Sequence, residues 1–314
     1  VRHRLEYAAV ASVAFFVRAL PRPAASALGS LLGLAFYAID RPHRRLAIAN
    51  LASAFPLKSP RERRAVARAV FAHFGRLLVG LLTFSGLTRR RMLELVEFEG
   101  LERVEHAHAL GRGVLYFTGH FGFWEVQAIA HTLRYPPITV LARALDNPQL
   151  NTMLERVRRS TGNAVIYRRG AIRKVLRALA ANQGVALLID QHIQGTDAVH
   201  VEFFSRPAAT TSALAALALR TGAPVIPVFA LPLRGGRYRL IYEHAVDPPR
   251  PGEPDAIREF TQRCTDVLEM YVRRYPELWL WMHRRWRDVE PAMAPAGMFP
   301  RAGRNEPAEI GNDE

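Results

Sequence analysis

Beyond Gly100 the chain alternates short β-branched or apolar runs with helical stretches, and this alternation restricts its fold more than any other feature. The runs are Val114 to Thr118, Ile138 to Arg143, Ala164 to Tyr167, Val185 to Asp190, Val225 to Leu231 and Tyr238 to His244. Helices are expected near Phe123 to Leu133, Pro148 to Ser160, Ala171 to Asn182 and Ala208 to Thr221. Strands that alternate with helices return in one direction and need helices on both faces, so the pattern predicts an α/β fold with a mostly parallel sheet. The Arg234-Gly235-Gly236 turn between the last two runs predicts a hairpin and makes the sheet mixed. A helix from about Pro254 to Arg274 follows, then Trp279-Leu280-Trp281-Met282-His283.

The part before Gly100 reads differently. Val66, Ala69, Val70, Phe71, Phe74, Leu77, Leu78 and Leu81 recur at helical spacing after a start at Ser59-Pro60, which predicts a helical layer over residues 41–97 ahead of the sheet and helices of 98–288. Ahead of it lie two uncharged apolar runs, Tyr7 to Val17 and Ala24 to Ile39, separated by Pro21-Arg22-Pro23. Each is shorter than the ~20 residues of a spanning helix. Ala25-Ser26-Ala27 imitates a signal-peptidase site, but arginines and prolines lie between it and the apolar core, and more apolar sequence follows. Residues 1–40 are therefore expected to form an interfacial helical hairpin on a membrane, with two ordinary core helices as the rival reading. Residues 289–314, rich in Pro, Gly, Glu and Asn, are expected to be a disordered tail.

Charge narrows the partners. Forty-three Lys and Arg against twenty-eight Asp and Glu give +15, which favours an anionic partner: a membrane surface, a phosphorylated lipid or an acidic carrier protein. The basic clusters His43-Arg44-Arg45, Arg61 to Arg64, Arg89 to Arg91 and Arg168-Arg169 are dispersed and not interleaved with stacking aromatics, so nucleic acid is not expected.

The strongest local signal is Thr118-Gly119-His120-Phe121-Gly122-Phe123-Trp124-Glu125, where a buried strand ends, glycine permits a sharp turn and a helix begins. Ligands collect at such an edge in open α/β sheets. Residues five apart on one helix point about 140° away from each other, so Glu125 can reach the His120 ring only if His120 lies in the turn. The carboxylate would then fix the imidazole tautomer while the other nitrogen takes a proton from a hydroxyl. A capping histidine beside a solvated glutamate is the alternative.

This segment resembles the His-x4-(Asp/Glu) motif of the lysophospholipid acyltransferase superfamily, in the branch of the lipid A biosynthesis acyltransferases and the phosphatidylinositol mannoside acyltransferase. The resemblance extends through Asn50 to Pro56, Asp146-Asn147-Pro148, Asp190-Gln191, Phe203-Phe204-Ser205-Arg206-Pro207-Ala208 and Trp281-Met282-His283-Arg284-Arg285. It implies that His120 is the base and Glu125 orients it, with acyl carrier protein or acyl-CoA as thioester co-substrate and no cofactor. The implied acceptor is a hydroxyl of an anionic glycolipid, a lipid A precursor foremost, at the cytoplasmic face of a bacterial inner membrane. Ser205 and Glu202 depart from the family, which usually has glycine after the paired phenylalanines and often proline before them.

The remaining residues agree with direct transfer. No Gly-x-Ser-x-Gly elbow occurs, and the single cysteine, Cys264, falls within an expected helix, so a covalent acyl-enzyme has no obvious nucleophile. Asp190, His192, Asp197 and His200 match no standard zinc spacing, and His120 and His131 would stand about 16 Å apart on a helix, so no metal site is expected. Asp190 is read as a strand-end group that braces the floor of the site or an arginine, and it counts among the substrate-binding candidates. Arg143 ends one strand and Arg168-Arg169 follow the next on the same edge, where they suit phosphate or sugar recognition, with ordinary surface charge as the alternative, and Gln191 and Arg206 join them as substrate-binding candidates. The Trp279 to Trp286 stretch suits either lipid headgroups or the core. A lipid-ester hydrolase, in which the same pair activates water, and a non-catalytic membrane adaptor are the rival functions.

Overall fold

A computed structural model of the chain describes residues 2–167, 171–250 and 252–287. Four helices come first: α1 (Arg2–Ala19), α2 (Arg22–Ile39), α3 (Arg41–Ala54) and α4 (Pro60–Phe84). The chain continues with α5 (Arg89–Leu93), β1 (Val96–Glu99), α6 (Leu101–Ala109), β2 (Val114–Thr118), α7 (Trp124–His131), β3 (Thr139–Ala142), α8 (Pro148–Arg159) and β4 (Ala164–Tyr167). Then follow α9 (Ala171–Ala180), β5 (Gly184–Leu188), β6 (Ala198–Glu202), β7 (Pro207–Thr211), α10 (Ala213–Thr221), β8 (Val225–Pro232), β9 (Tyr238–Tyr242) and α11 (Ala256–Arg274).

Seven strands form one sheet in the order β1-β9-β8-β2-β5-β3-β4, and only β8 and β9 pair antiparallel. The expected mixed, mostly parallel sheet is thus observed, with the expected hairpin between its last two strands. Leu115 and Phe117 of β2 enter one core and Val114 and Tyr116 the other, which is the alternation a sheet covered on both faces requires. Two strand pairs were not expected. β1 is four residues long and carries Glu97 and Glu99, so it lacks the apolar signal of a strand. β6 and β7 form a separate antiparallel hairpin where the sequence reading extends a helix back to Ala208.

That hairpin turns through Phe204 and Ser205, at φ +56° and +55°. A two-residue hairpin loop of type I′ has positive φ at both central residues, a conformation that glycine adopts most readily and that Phe204 and Ser205 adopt here. Phe204 is held there by packing: its ring lies 4.9 to 5.7 Å from those of Phe55, Phe203 and Trp281, and its amide donates to Glu269 Oε2 at 2.6 Å. Ser205 is exposed and has no such packing.

The N-terminal helices share one support. α4 begins at a complete capping box between Ser59 and Glu62, as its sequence predicts. α2 lies along it so closely that a Cβ on Gly33 would come 2.0 Å from Phe71 O, and one on Gly75 2.0 Å from Gly29 O. α1 also packs on α4, through Ala14 and Val17 against Val79 and Leu82. The two helices therefore rest on α4 more than on each other, which differs from the hairpin expected, and one face of each is core. The opposite faces leave Leu5, Phe15, Phe16, Leu31, Phe36 and Ile39 between 47% and 79% exposed, an apolar surface that fits membrane docking. By length and composition α2 and α4 could each cross a membrane, but half of the apolar window of α4 is buried inside the protein. The tail expected over 289–314 lies outside the described residues.

The left-handed backbone at Ser205 generates a stability prediction. An L-residue there costs about 1–2 kcal/mol, of which glycine recovers part after its own entropic loss. Ser205→Gly is expected to stabilise by roughly 0.5–1 kcal/mol and to raise the unfolding midpoint by about 1–3 °C in a calorimetric scan; a lower midpoint would contradict the strain.

Candidate active site

β2 and β5 are adjacent and parallel, with Thr118 level with Leu188. The chain leaving β2 runs through α7 to β3 beyond β5, whereas the chain leaving β5 runs on to β8 on the far side of β2. Their carboxyl ends therefore form a switch point, with connections that leave in opposite directions, the place where ligands collect in open α/β sheets. Two residues past each strand stand His120 and Asp190, and the shared register brings them together.

His120 Nδ1 lies 2.9 Å from Asp190 Oδ1, and the His120 amide donates to Asp190 Oδ2 at 2.7 Å. Trp279 Nε1 donates to Oδ2 at 2.8 Å. A carboxylate only accepts, so Nδ1 carries the proton of the neutral ring and Nε2 bears a lone pair. Asp190 is fully enclosed, while the His120 side chain keeps 19% of its surface exposed, with Gln191 Nε2 at 3.4 Å from its Nε2.

Burial depresses the His120 pKa, but the charge and hydrogen bond of Asp190, helped by the Glu125 charge, outweigh burial and Arg158 and raise it above the ordinary value. For Asp190 burial acts upward, and the attraction of His120, its hydrogen bonds and the nearby His283 pull the carboxyl well below the usual range.

The carboxylate bonded to His120 is thus Asp190, where the sequence reading expects Glu125. His120 does lie in the turn, as that reading requires, because α7 begins only at Trp124. Glu125 is instead gripped by the fork of Arg158, with Nε 2.9 Å from Oε2 and Nη2 2.5 Å from Oε1. It acts on His120 through its charge, and Arg158, from α8, is a participant the sequence reading missed.

The turn is clamped from several sides. A Cβ on Gly119 would come 2.9 Å from both Asp190 Oδ2 and Leu268 Cδ2, and Gly122, at φ +58°, leaves 2.1 Å between an added Cβ and Ala230 O. Gly122 N donates to Leu278 O at 2.9 Å and Leu280 N to His120 O at 3.1 Å. From α4, buried His73 holds Gly122 O through Nε2 at 3.0 Å; burial pushes its pKa down to about 4, so the ring is neutral. Asn50 of α3 donates to both Trp281 O and His283 O, at 2.8 and 2.9 Å. Trp279, Trp281 and Trp286 are buried, which settles their reading in favour of the core.

The other expected binding residues are dispersed. Arg143 follows β3 on the same edge, 81% exposed, with Asp146 4.0 Å away. Arg168 and Arg169 lie outside the described residues. Arg206 rests on the Trp286 ring at 5.0 Å from the hairpin side. Among the described residues no three His, Cys, Asp or Glu side chains converge as a metal ligand set. Cys264 is enclosed in α11, where burial pushes its thiol up to about 12, so it is no nucleophile at neutral pH.

A histidine with one nitrogen fixed by a buried aspartate and the other a lone pair at a sheet edge, beside the Gln191 amide, is a centre for general-base chemistry on an entering substrate. Comparison with known proteins narrows this further. The chain belongs to the bacterial lipid A biosynthesis acyltransferase family, whose profile matches residues 1–288, and it is an O-acyltransferase. It is 28% identical over 284 residues to the lipid A biosynthesis lauroyltransferase of Escherichia coli (strain K12), covering 88% of this chain and 89% of the relative. It is 23% identical over 288 residues to the lipid A biosynthesis myristoyltransferase of the same strain, covering 91% and 87%. The phosphatidylinositol mannoside acyltransferase of Mycolicibacterium smegmatis is 24% identical over 223 residues, covering 70% and 71%.

The electrostatics of the pair can be read directly. In a histidine-selective NMR titration His120 is expected to titrate above 6.5, and Asp190→Asn to lower that midpoint by removing the charge that stabilises the imidazolium. His73 is expected to stay neutral until about pH 4. An unchanged His120 midpoint in Asp190→Asn would contradict the assignment.

Proposed function

We propose that this chain transfers a fatty acyl group from a thioester, acyl carrier protein or acyl-CoA, to a hydroxyl of a phosphorylated glycolipid, with a lipid A precursor as the foremost acceptor. The observation that carries the reading is Nε2 of His120, left unprotonated because Nδ1–H is bound to buried Asp190, and reached from the partly exposed side of the ring where the Gln191 amide lies 3.4 Å away. The relatives named for lauroyl and myristoyl transfer in lipid A biosynthesis support the acceptor class.

The acceptor hydroxyl gives its proton to Nε2 as its oxygen attacks the thioester carbonyl carbon. The tetrahedral intermediate then expels the thiolate, which takes the proton back from the imidazolium and leaves as the thiol. Asp190 holds the ring and stabilises its cationic form, and the Glu125 charge favours the same form. The scheme uses the thioester as co-substrate and calls on no metal or other cofactor. Arg143 and Gln191, at the same edge, are the described groups best placed to meet the acceptor.

The site is reached from the membrane in this reading. α4 carries His73 to the catalytic turn and Gly75 to α2, so the apolar faces of α1 and α2 dock on the cytoplasmic side of the inner membrane in a fixed relation to His120.

Two experiments test the reading. His120→Ala is expected to fold and to lower acyl transfer to lipid A precursor by about 10²-fold or more. Release of free fatty acid by the wild type without acyl-acceptor product would support the hydrolase instead. The four-fold variant Phe15→Glu, Phe16→Glu, Leu31→Glu, Ile39→Glu changes only exposed positions and is expected to lose most binding to anionic vesicles with an unchanged melting temperature. Undiminished vesicle binding would place membrane attachment elsewhere.

A further inference from the structure

The Trp281-Met282-His283-Arg284-Arg285 segment folds back beneath the catalytic turn, and one side chain in it makes contacts that core packing alone does not require. His283 places Nδ1 2.8 Å from Leu280 O and Nε2 3.1 Å from Asp190 O. Both partners are carbonyl oxygens, which only accept. A neutral imidazole carries one N–H, so it donates to one of them and turns a lone pair toward the other. The ring is enclosed, with the indole of Trp279 5.2 Å away edge to face, and its own backbone carbonyl is fixed by Asn50.

We infer that His283 is a positioning residue for the transfer reaction, donating from Nε2–H to the Asp190 carbonyl and so setting where the Asp190 carboxylate meets His120. The inference rests on the reading of His120 as the base. The last backbone bond between β5 and β2 is Ile189 N to Thr118 O at 3.0 Å, so strand pairing stops one residue short of Asp190 and leaves its carbonyl to other partners. Its carbonyl has His283 as its described side-chain partner, while its carboxylate has the donors from His120 and Trp279. Rotation of the Asp190 peptide would swing the carboxylate away from Nδ1 and return the imidazole to free rotation. The charged and titratable groups acting on His283 are Asp190, His120 and Arg285; those acting on His120 are Asp190, Glu125 and Arg158. Of these, Asp190 is shared, so loosening it is read out at His120.

The two ring nitrogens can be separated by amide variants of the intact chain, His283→Asn and His283→Gln. The shorter asparagine side chain can reproduce the Nδ1 contact to Leu280 O, and the longer glutamine side chain the Nε2 contact to Asp190 O. His283→Gln is expected to keep kcat within about three-fold of the wild type and to leave the acidic limb of its pH profile in place. His283→Asn is expected to lower kcat at least ten-fold with little change in KM and to move the acidic limb to lower pH, because a loosened carboxylate no longer supports the imidazolium. Equal behaviour of the two variants, the reverse order, or a loss in His283→Asn that comes from unfolding or leaves the limb unmoved would overturn the inference. His120→Ala measured alongside keeps the questions apart: if it retains full transfer, the reading of the base fails, whereas if it is inactive and both His283 variants match the wild type, only the role of His283 fails.

Discussion

The contact between His120 and Asp190 depends on a register that neither residue sets. Two parallel strands end level with each other, and each sends its chain away in the opposite direction two residues before the functional side chain. The carboxylate that results is buried and charged, a combination that is costly unless hydrogen-bond donors surround it. Asp190 meets that demand with the His120 amide, His120 Nδ1 and Trp279 Nε1. The tryptophan is in turn held where it is by backbone bonds from Leu278 and Leu280 to the His120 turn, and by Asn50 behind Trp281. Segments from α3, the β2 turn, the end of β5 and the C-terminal block thus form one cooperative assembly around a single charge.

α4 joins that assembly to the N-terminal helices. One side of it offers His73 to Gly122 and Phe74 to Trp124, and the other offers Gly75 to the backbone of α2. Glycine seams of this kind let helix backbones touch, and contacts between backbones yield little. An apolar face on α2 is therefore held at a defined place relative to the imidazole. A lipid hydroxyl has to rise only a limited way from a bilayer surface, and a rigid connection between surface and base suits such a substrate better than a flexible tether.

Much of the fold was legible in the sequence because the sheet is buried on both faces. Val114–Thr118 and Ala164–Tyr167 are recovered to the residue, and the hairpin of β8 and β9 follows from its glycines. β1 and the β6–β7 hairpin were not legible, since acidic residues dilute the first and the second turns through Phe204 and Ser205 in place of glycine. The position of His120 in a strand-to-helix turn was also legible. Its partner was not: Asp190 lies seventy residues away, and strand order, which decides which strand ends are neighbours, leaves no local trace. Glu125 is near in sequence, but a bidentate arginine from α8 holds it. Arg158 reaches Glu125 through a tertiary contact and was invisible for the same reason, and His283, though part of a recognised block, gave no sign in the sequence of its contact with the Asp190 carbonyl.

The pH dependence of kcat/KM for the wild-type chain tests the central claim most directly, because it reports the ionisation of the free enzyme's base. If His120 is the base and Asp190 supports its cationic form, transfer rises with pH through a single ionisation lying above 6.5 and then levels off. A rate that is flat from about pH 5 to about pH 8, or one whose acidic limb lies below the ordinary histidine value, would contradict the account.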